Sequence, residues 1–310
     1  MAPPKFGRNY SLSVQLQDLS FLTIELPFTI EFDIDRKTLS STNAATIRIY
    51  NLSATNRSLI RYDFSTYGSP RTITLMAGYG YNLPIIFSGN ITQAWSVREG
   101  VNFITTIEAF DGGYAIVSGK VPTIPYIKGT SQYAILANMM TQGLPGTSFG
   151  AIGPSFQDVN GVNGQEIITN RAFPYDGTTA EVLNTITGNA FFIDNGKSYI
   201  LGNNESIQGQ VELIDSSTGL LGTPLRENNT VVFDMIFEPG IILGQYIELY
   251  SSTFTELNSS NNSTTDNVNG YYKITAIKHR GMISPVVCGD AITTVEFFLG
   301  PKILTVVPSQ

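Results

Sequence analysis

The chain has 310 residues, 42% of them hydrophobic and only 14% charged, and carries a formal net charge of −7. The length suits two or three domains with sizeable cores, and the acidic balance excludes a dedicated nucleic-acid binder, whose footprint is a basic patch. A single cysteine, Cys288, and a single histidine, His279, exclude an intramolecular disulfide framework and a zinc site built on Cys and His. The deficit of charge is filled by Ser, Thr, Asn and Gly, which suit strands and turns better than long exposed helices. Met1 to Lys5 lead into polar residues rather than an apolar segment, so no signal peptide is expected and assembly in the cytoplasm is. No apolar run reaches the ~20 residues that span a bilayer.

The first third reads as strands. Leu12, Val14 and Leu16 alternate with Ser13, Gln15 and Gln17, a period of two that marks a half-buried strand. Phe21 to Ile34 reads as a second strand region, with Phe28, Ile30, Phe32 and Ile34 on one face and Thr29, Glu31, Asp33 and Asp35 on the other. Ala45 to Tyr50 is a third. Ser53 is a candidate N-cap for a short helix or turn that ends at Leu59 and Ile60. Strands resume at 71–78 and 83–97, separated by a turn at Gly78-Tyr79-Gly80-Tyr81-Asn82, and again at 101–110, before Asp111-Gly112-Gly113. About six strands and one short helix are enough for a small barrel or sandwich.

The middle differs. Ile135, Leu136, Met139 and Met140 fall at helical spacing within Ser131 to Gln142, and Gly143 and Pro145 stop that helix. Residues 143–164 read as a loop or hairpin. Thr178 and Glu181 form a capping pair for a second helix over Ala180 to Ile186. Asn195-Gly196 joins strands Ala190–Asp194 and Ser198–Leu201 as a tight hairpin. In the last third, Gly222-Thr223-Pro224 reads as a loop, and strands are predicted over 229–237, 246–251, 270–279 and 291–299. Thr253 to Asn267 is a polar low-complexity loop, and Gly300-Pro301 ends the last strand. The predicted architecture is mainly β: a first β domain over 1–113, an inserted α+β domain over 114–205 and a second β domain over 206–310.

Candidate chemistry is sparse. A Ser-His-Asp triad would have to use His279, which reads as a strand-end residue beside Arg280-Gly281. Cys288, in Val286-Val287-Cys288-Gly289, reads as a small apolar residue rather than a nucleophile. Glu31, Asp33 and Asp35 alternate on one strand face about 7 Å apart, within the range of inverting glycosidases. They read most simply as a solvated face, and Trp95 is the sole tryptophan available as a sugar platform. Gly78-Tyr79-Gly80 lacks the helix that a dinucleotide fingerprint needs, and no phosphate-binding loop or acidic calcium loop occurs. Catalytic, cofactor-binding and metal-binding residues are therefore expected to be absent. The Asn51-Leu52-Ser53, Asn90-Ile91-Thr92 and Asn262-Ser263-Thr264 sequons match what an Asn- and Ser-rich chain produces by chance.

Two motif sets carry a resemblance. The first is Phe32-Asp33-Ile34-Asp35 followed by Ala45-Thr46-Ile47-Arg48-Ile49-Tyr50-Asn51-Leu52-Ser53. The second runs from Gly222-Thr223-Pro224 through Val231–Pro239, Gly244-Gln245-Tyr246-Ile247-Glu248-Leu249 and Gly270-Tyr271-Tyr272-Lys273-Ile274 to His279-Arg280-Gly281. In this order they resemble the baseplate hub proteins of contractile-tailed bacteriophages. The resemblance implies two tail-tube-like β-barrel domains per chain and a homotrimeric ring that joins the tail tube to the central spike. It also implies contacts with baseplate wedge and tape-measure proteins, DNA meeting the protein only in passage through the lumen, no membrane, and a place in the virion tail. Two other readings stay open: a β-rich sugar-binding adhesin and a tail-associated glycan hydrolase.

Overall fold

The computed structural model describes residues 5–38, 42–122, 131–157, 177–207, 213–227, 230–253, 255–257, 269–287, 289–298 and 305–307. Cys288, Asn262, Asp176, most of the 253–267 loop and Gly300-Pro301 lie outside them. The first third carries β1 (Arg8–Gln15), β2 (Phe21–Glu25), β3 (Ile30–Lys37), β4 (Asn43–Tyr50), α1 (Ala54–Ile60), β5 (Tyr62–Asp63), α2 (Phe64–Tyr67), β6 (Arg71–Tyr79), β7 (Ile85–Glu99) and β8 (Asn102–Asp111). The middle carries α3 (Gly113–Ser118), α4 (Gln132–Gln142), β9 (Ser148–Ile152), α5 (Thr179–Thr187), β10 (Phe191–Asp194), β11 (Lys197–Ile200) and β12 (Glu205–Ile207). The remainder carries β13 (Leu213–Ile214), β14 (Leu220–Glu227), β15 (Thr230–Ile236), β16 (Tyr246–Leu249), β17 (Thr255–Leu257), β18 (Gly270–Ile283), β19 (Ala291–Phe298) and β20 (Thr305–Val307).

The two β-rich ends of the chain form one sheet. Its main path runs β17-β14-β15-β19-β18-β3-β4-β8-β7-β6-β1-β2. The join is the antiparallel β18–β3 ladder, in register from Ala276 opposite Lys37 to Ile283 opposite Ile30. Among the described residues no ladder closes this sheet into a barrel. Strand alternation sends Tyr10, Leu12 and Val14 of β1 and Ile30, Phe32 and Ile34 of β3 into one core, where inward residues of β4, β6, β7 and β8 meet them. Phe237 and Ile283, from the far end of the sequence, complete that core. A second core gathers Val231, Phe233, Ile247, Ile274, Ile277, Val295 and Phe297 from the C-terminal strands.

The middle segment packs α3, α4 and α5 on the mixed sheet β10-β11-β9. Both faces of that sheet are covered. Phe191, Ile193 and Ile200 face the helices, whereas Phe192, Tyr199 and Leu201 join the C-terminal core. This is why Phe191-Phe192-Ile193 is an unbroken apolar run rather than an alternating one.

Local signals explain the elements. Ser53 Oγ accepts from Asn56 N–H and caps α1, and Ser131 does the same for α4 at Ala134. Thr178 and Glu181 form a reciprocal capping box on α5. Thr178→Ala is accordingly expected to lower stability by about 1 kcal/mol, read as a shift of the urea midpoint at unchanged slope. Asn195 and Gly196 both have positive φ, 50° and 73°, as the two-residue hairpin turn requires.

Several expectations are corrected. Phe21–Ile34 is two strands, because Pro27 supplies no N–H to a ladder and the chain turns between Glu25 and Ile30. Gly222-Thr223-Pro224 lies inside β14, at a register shift between Leu221 and Leu225 that accommodates the Gly and the Pro. The described part of 143–164 holds a strand not expected from the sequence, β9, which pairs parallel with β11. His279 is not at a strand end: β18 runs on to Ile283, because Arg280 and Gly281 pair with Asp33 and Phe32.

Candidate functional site

At the join of the two ends the outward face of the sheet carries charged residues. Glu31, Asp33 and Asp35 of β3 lie on it, with Arg48 of β4 on one side and Lys278 and Arg280 of β18 on the other. Each carboxylate has a cation at hand: Glu31–Arg48 at 3.9 Å, Asp33–Lys278 at 3.1 Å and Asp35–Lys37 at 3.3 Å. Exposed pairs like these are worth little for stability. Their effect is to neutralise charge locally along the join.

Beneath this surface lies a buried ionic seam. The strand period that sends Ile30, Phe32 and Ile34 inward also sends Arg36 inward, 2% exposed. Its guanidinium spans three parts of the chain. It donates to the Ile86 carbonyl of β7 (3.1 Å) and to the Ile241 carbonyl of the C-terminal part (3.3 Å), and Nε lies 3.4 Å from Asp194 Oδ1 at the tip of β10. Asp111, at the end of β8, is buried beside them and accepts from Gly196 N–H at 3.0 Å. Asn43 donates to the Ile193 carbonyl at 2.8 Å, and Ser88 N–H donates to Asn195 Oδ1 at 3.1 Å. The tip of the β10–β11 hairpin thus meets the ends of β3, β4, β7 and β8.

The electrostatics follow from burial. Desolvation, reinforced by the Asp194 charge, pushes the Asp111 carboxyl up to about 7. Desolvation also raises Asp194, against the pull of Arg36. Tyr199 is pushed up to about 12 by desolvation and then by Asp194. His279 is fully buried, and desolvation with the nearby Arg36 charge holds it neutral, well below the usual imidazole range. Its Nδ1 shares a 3.0 Å hydrogen bond with Thr293 Oγ1, and its ring meets Phe237 edge-on at 5.7 Å. Among the described residues no carboxylate completes a triad around it, and the ring packs in the core.

A second tie joins the middle segment to β18. Lys273 Nζ donates to the Gly202 carbonyl at 2.8 Å, and desolvation, opposed by Glu205, lowers its pKa to about 8. The Glu205 carboxylate accepts from Ser155 N–H (2.6 Å), Ser155 Oγ (2.7 Å) and Gly202 N–H (2.6 Å).

A polar cleft of about 730 Å³ opens between the β1–β2 turn, α1 and β7, and Trp95, Arg61, Gln17, Gln93, Asp18 and Asp63 line it. Asp18 is held below the usual carboxylate range by its hydrogen bonds from Ser20, and Asp63 caps α2 through Ser65. A glycosidic acid needs the opposite shift. The turn expected over 78–82 starts only at Gly80: Gly78 and Tyr79 still pair with Asn9 and Arg8 at the end of β6, a Cβ on Gly78 would meet the Asn82 carbonyl oxygen at 2.0 Å, and Gly80 has φ +60°. Asn51 is engaged with Asn102 and Phe103, and Ser53 caps α1, so the first sequon is in structural use. Among the described residues no group of three or more His, Cys, Asp or Glu is placed to hold a metal ion, and no helix is long and apolar enough to cross a membrane.

Sequence reasoning placed Glu31, Asp33 and Asp35 on one face and missed the seam. The parity of Arg36 with Ile30 was the available signal for its burial. Nothing local marked Asp111 or Asp194 as its neighbours.

No protein-family model and no curated relative matches the sequence. Solved structures do match its fold. A 43 kDa tail protein of prophage MuSo2 from Shewanella oneidensis superposes with a TM-score of 0.57 at 7% identity, over 94% of this chain and 96% of that one. A tail protein from Neisseria meningitidis MC58 gives 0.52 at 10% identity, over 94% and 97%. The prophage tail protein gp18 from Listeria monocytogenes gives 0.48 at 9% identity, over 94% and 95%. At nearly full length on both sides, the chain has the fold of phage tail proteins, the resemblance that its terminal motifs carry.

Proposed function

We propose that the chain is a structural, non-enzymatic component of a phage tail: a baseplate hub whose three copies form a ring between the tail tube and the central spike. In this reading residues 1–113 and 206–310 are the two tube-like domains and 114–205 is an insertion. The observation that carries it is the β3–β18 ladder, which makes one sheet of the two ends of the chain and gives them one continuous surface. Two similar β units per chain, taken three times, match a sixfold tube, and threefold symmetry matches a spike. The self-paired charges of the outward face suit a wall past which DNA slides without sticking. Tube, spike, wedge and tape-measure proteins are the partners, and the virion tail is the location.

The test is co-sedimentation of the purified chain with the tail tube and spike proteins of the same phage. Binding to both is expected, and binding to neither would overturn the reading. The cleft at Trp95 supports a second reading, sugar binding. A reproducible glycan-array hit that Trp95→Ala removes would establish it. In a hydrolase, exchanging Glu31, Asp33 and Asp35 together for amides would abolish cell-wall clearing; because each is ion-paired, no clearing activity is expected before or after the exchange.

A further inference from the structure

The β10–β11 hairpin enters the N-terminal strands with a charge imbalance. Asp111 and Asp194 are 1% and 3% exposed, and among the described residues the cation that acts on both is the Arg36 guanidinium, 3.4 Å from Asp194. Asp111 Oδ2 has no hydrogen-bond partner among the described residues. The groups that act on Asp111 from the packed elements are Arg36 of β3 and Asp194 of β10. Tyr199 of β11 senses the same three charges, Lys197 of β11 pairs in register with Asp194, and neutral His279 of β18 lies on the Arg36 side. Two ionised carboxylates and one cation would leave a net negative charge in a dry seam, which costs more than binding a proton.

The hairpin is held to β9 and covered on both faces within the middle segment, and it meets the N-terminal strands at its tip. Its polar ties to the N-terminal strands are few: Asp111 to Gly196, Asn43 to Ile193, Asn195 to Ser88 and Ile85, and Arg36 to Asp194. Ile193 fills the space over Gly112, where a Cβ would lie 2.6 Å from its Cδ1.

We propose that the seating of the β10–β11 hairpin on the N-terminal strands is a proton-linked latch: the seam carries one proton on its carboxylate pair while the hairpin is seated and releases it to water when the hairpin lifts. The inference stands apart from the tail reading and would hold for any function of the fold. Seating raises the carboxyl above its value in water, so its contribution is complete below about pH 4 and is lost as pH rises through about 7. The latch is therefore firm at acidic pH, loosens as pH rises toward neutrality and is fully loosened above it.

Hydrogen exchange of the intact chain, corrected for intrinsic chemical rates, tests this. Protection of the 191–200 amides is expected to fall about tenfold between roughly pH 6 and 8.5, the loss that a carboxyl titrating near neutrality imposes, while the amides of β1 and β6 hold theirs. Asp111→Asn, which keeps the shape and removes the titration, is expected to flatten that dependence. Equal wild-type protection at both pH values, or a fall that survives in Asp111→Asn, would overturn the latch. Should that variant fail to fold, carbon-13 titration of the wild-type aspartate carboxyls decides. One resonance titrating above about pH 6 is expected, and all of them titrating below about pH 5 would overturn it.

Discussion

Arg36→Ala is expected to destabilise the protein by about 3–5 kcal/mol, the range for removing one partner of a buried ion pair. The reason is what it leaves behind. Asp194 and Asp111 remain in the dry seam without their cation, and the Ile86 and Ile241 carbonyls lose the donors that join the first and last parts of the chain. Lysine restores the charge, but its single ammonium cannot reach three acceptors as the guanidinium fork does, so Arg36→Lys should recover only part of the loss. Arg36→Met combined with Asp194→Asn removes the pair more evenly and should lose less than Arg36→Ala alone. Urea unfolding followed at Trp95, the sole tryptophan, measures all three. Equal stability of Arg36→Ala and wild type would mean that the seam does not hold the parts together.

Phe237→Ala is expected to lose a further 3–5 kcal/mol, the usual range for emptying a buried phenylalanine site. Phe237 is fully buried and belongs to the core of the N-terminal strands although it follows β15 in sequence. Its ring lies 5.7 Å from Phe32, 6.1 Å from Tyr79 and 5.7 Å from His279. The Tyr79 hydroxyl meanwhile donates to its carbonyl at 2.8 Å, a bond the substitution keeps. The loss therefore reports on packing across the join of the two ends. Phe237→Leu should show a smaller loss, and calorimetry of both variants checks the order.

These two residues show where the sequence is legible and where it is not. Period-two alternation marks β1, β3 and β4 because each buries one face. The caps at Ser53 and Thr178 and the Asn195-Gly196 turn are local chemistry and lie where the sequence places them, and the cap at Ser131 is of the same local kind. Arg36 was legible by parity, but a cation on an apolar face is easily taken for the end of the strand. Phe237 carries no local sign of which core it enters, because that depends on a ladder between residues about 240 positions apart. The capture of Asn195 and Gly196 by Ser88 and Asp111 is of the same kind: the turn is written locally and its socket is not. β14 was missed because Gly222 and Pro224 are turn residues everywhere except at a bulge. The cleft at Trp95 has no sequence signature, since its lining comes from the β1–β2 turn, α1 and β7. The motif order in the two ends did carry the likeness to tail proteins, and the fold bears it out at identities where pairwise sequence similarity is silent.

The central claim is that three copies of this chain close into a ring. Native mass measurement of the chain, alone and with the proposed tube and spike proteins, tests it most directly. The account predicts a species of three times the mass of one chain, formed alone at micromolar concentration or on adding the partners. A single-chain mass under every one of these conditions would contradict it.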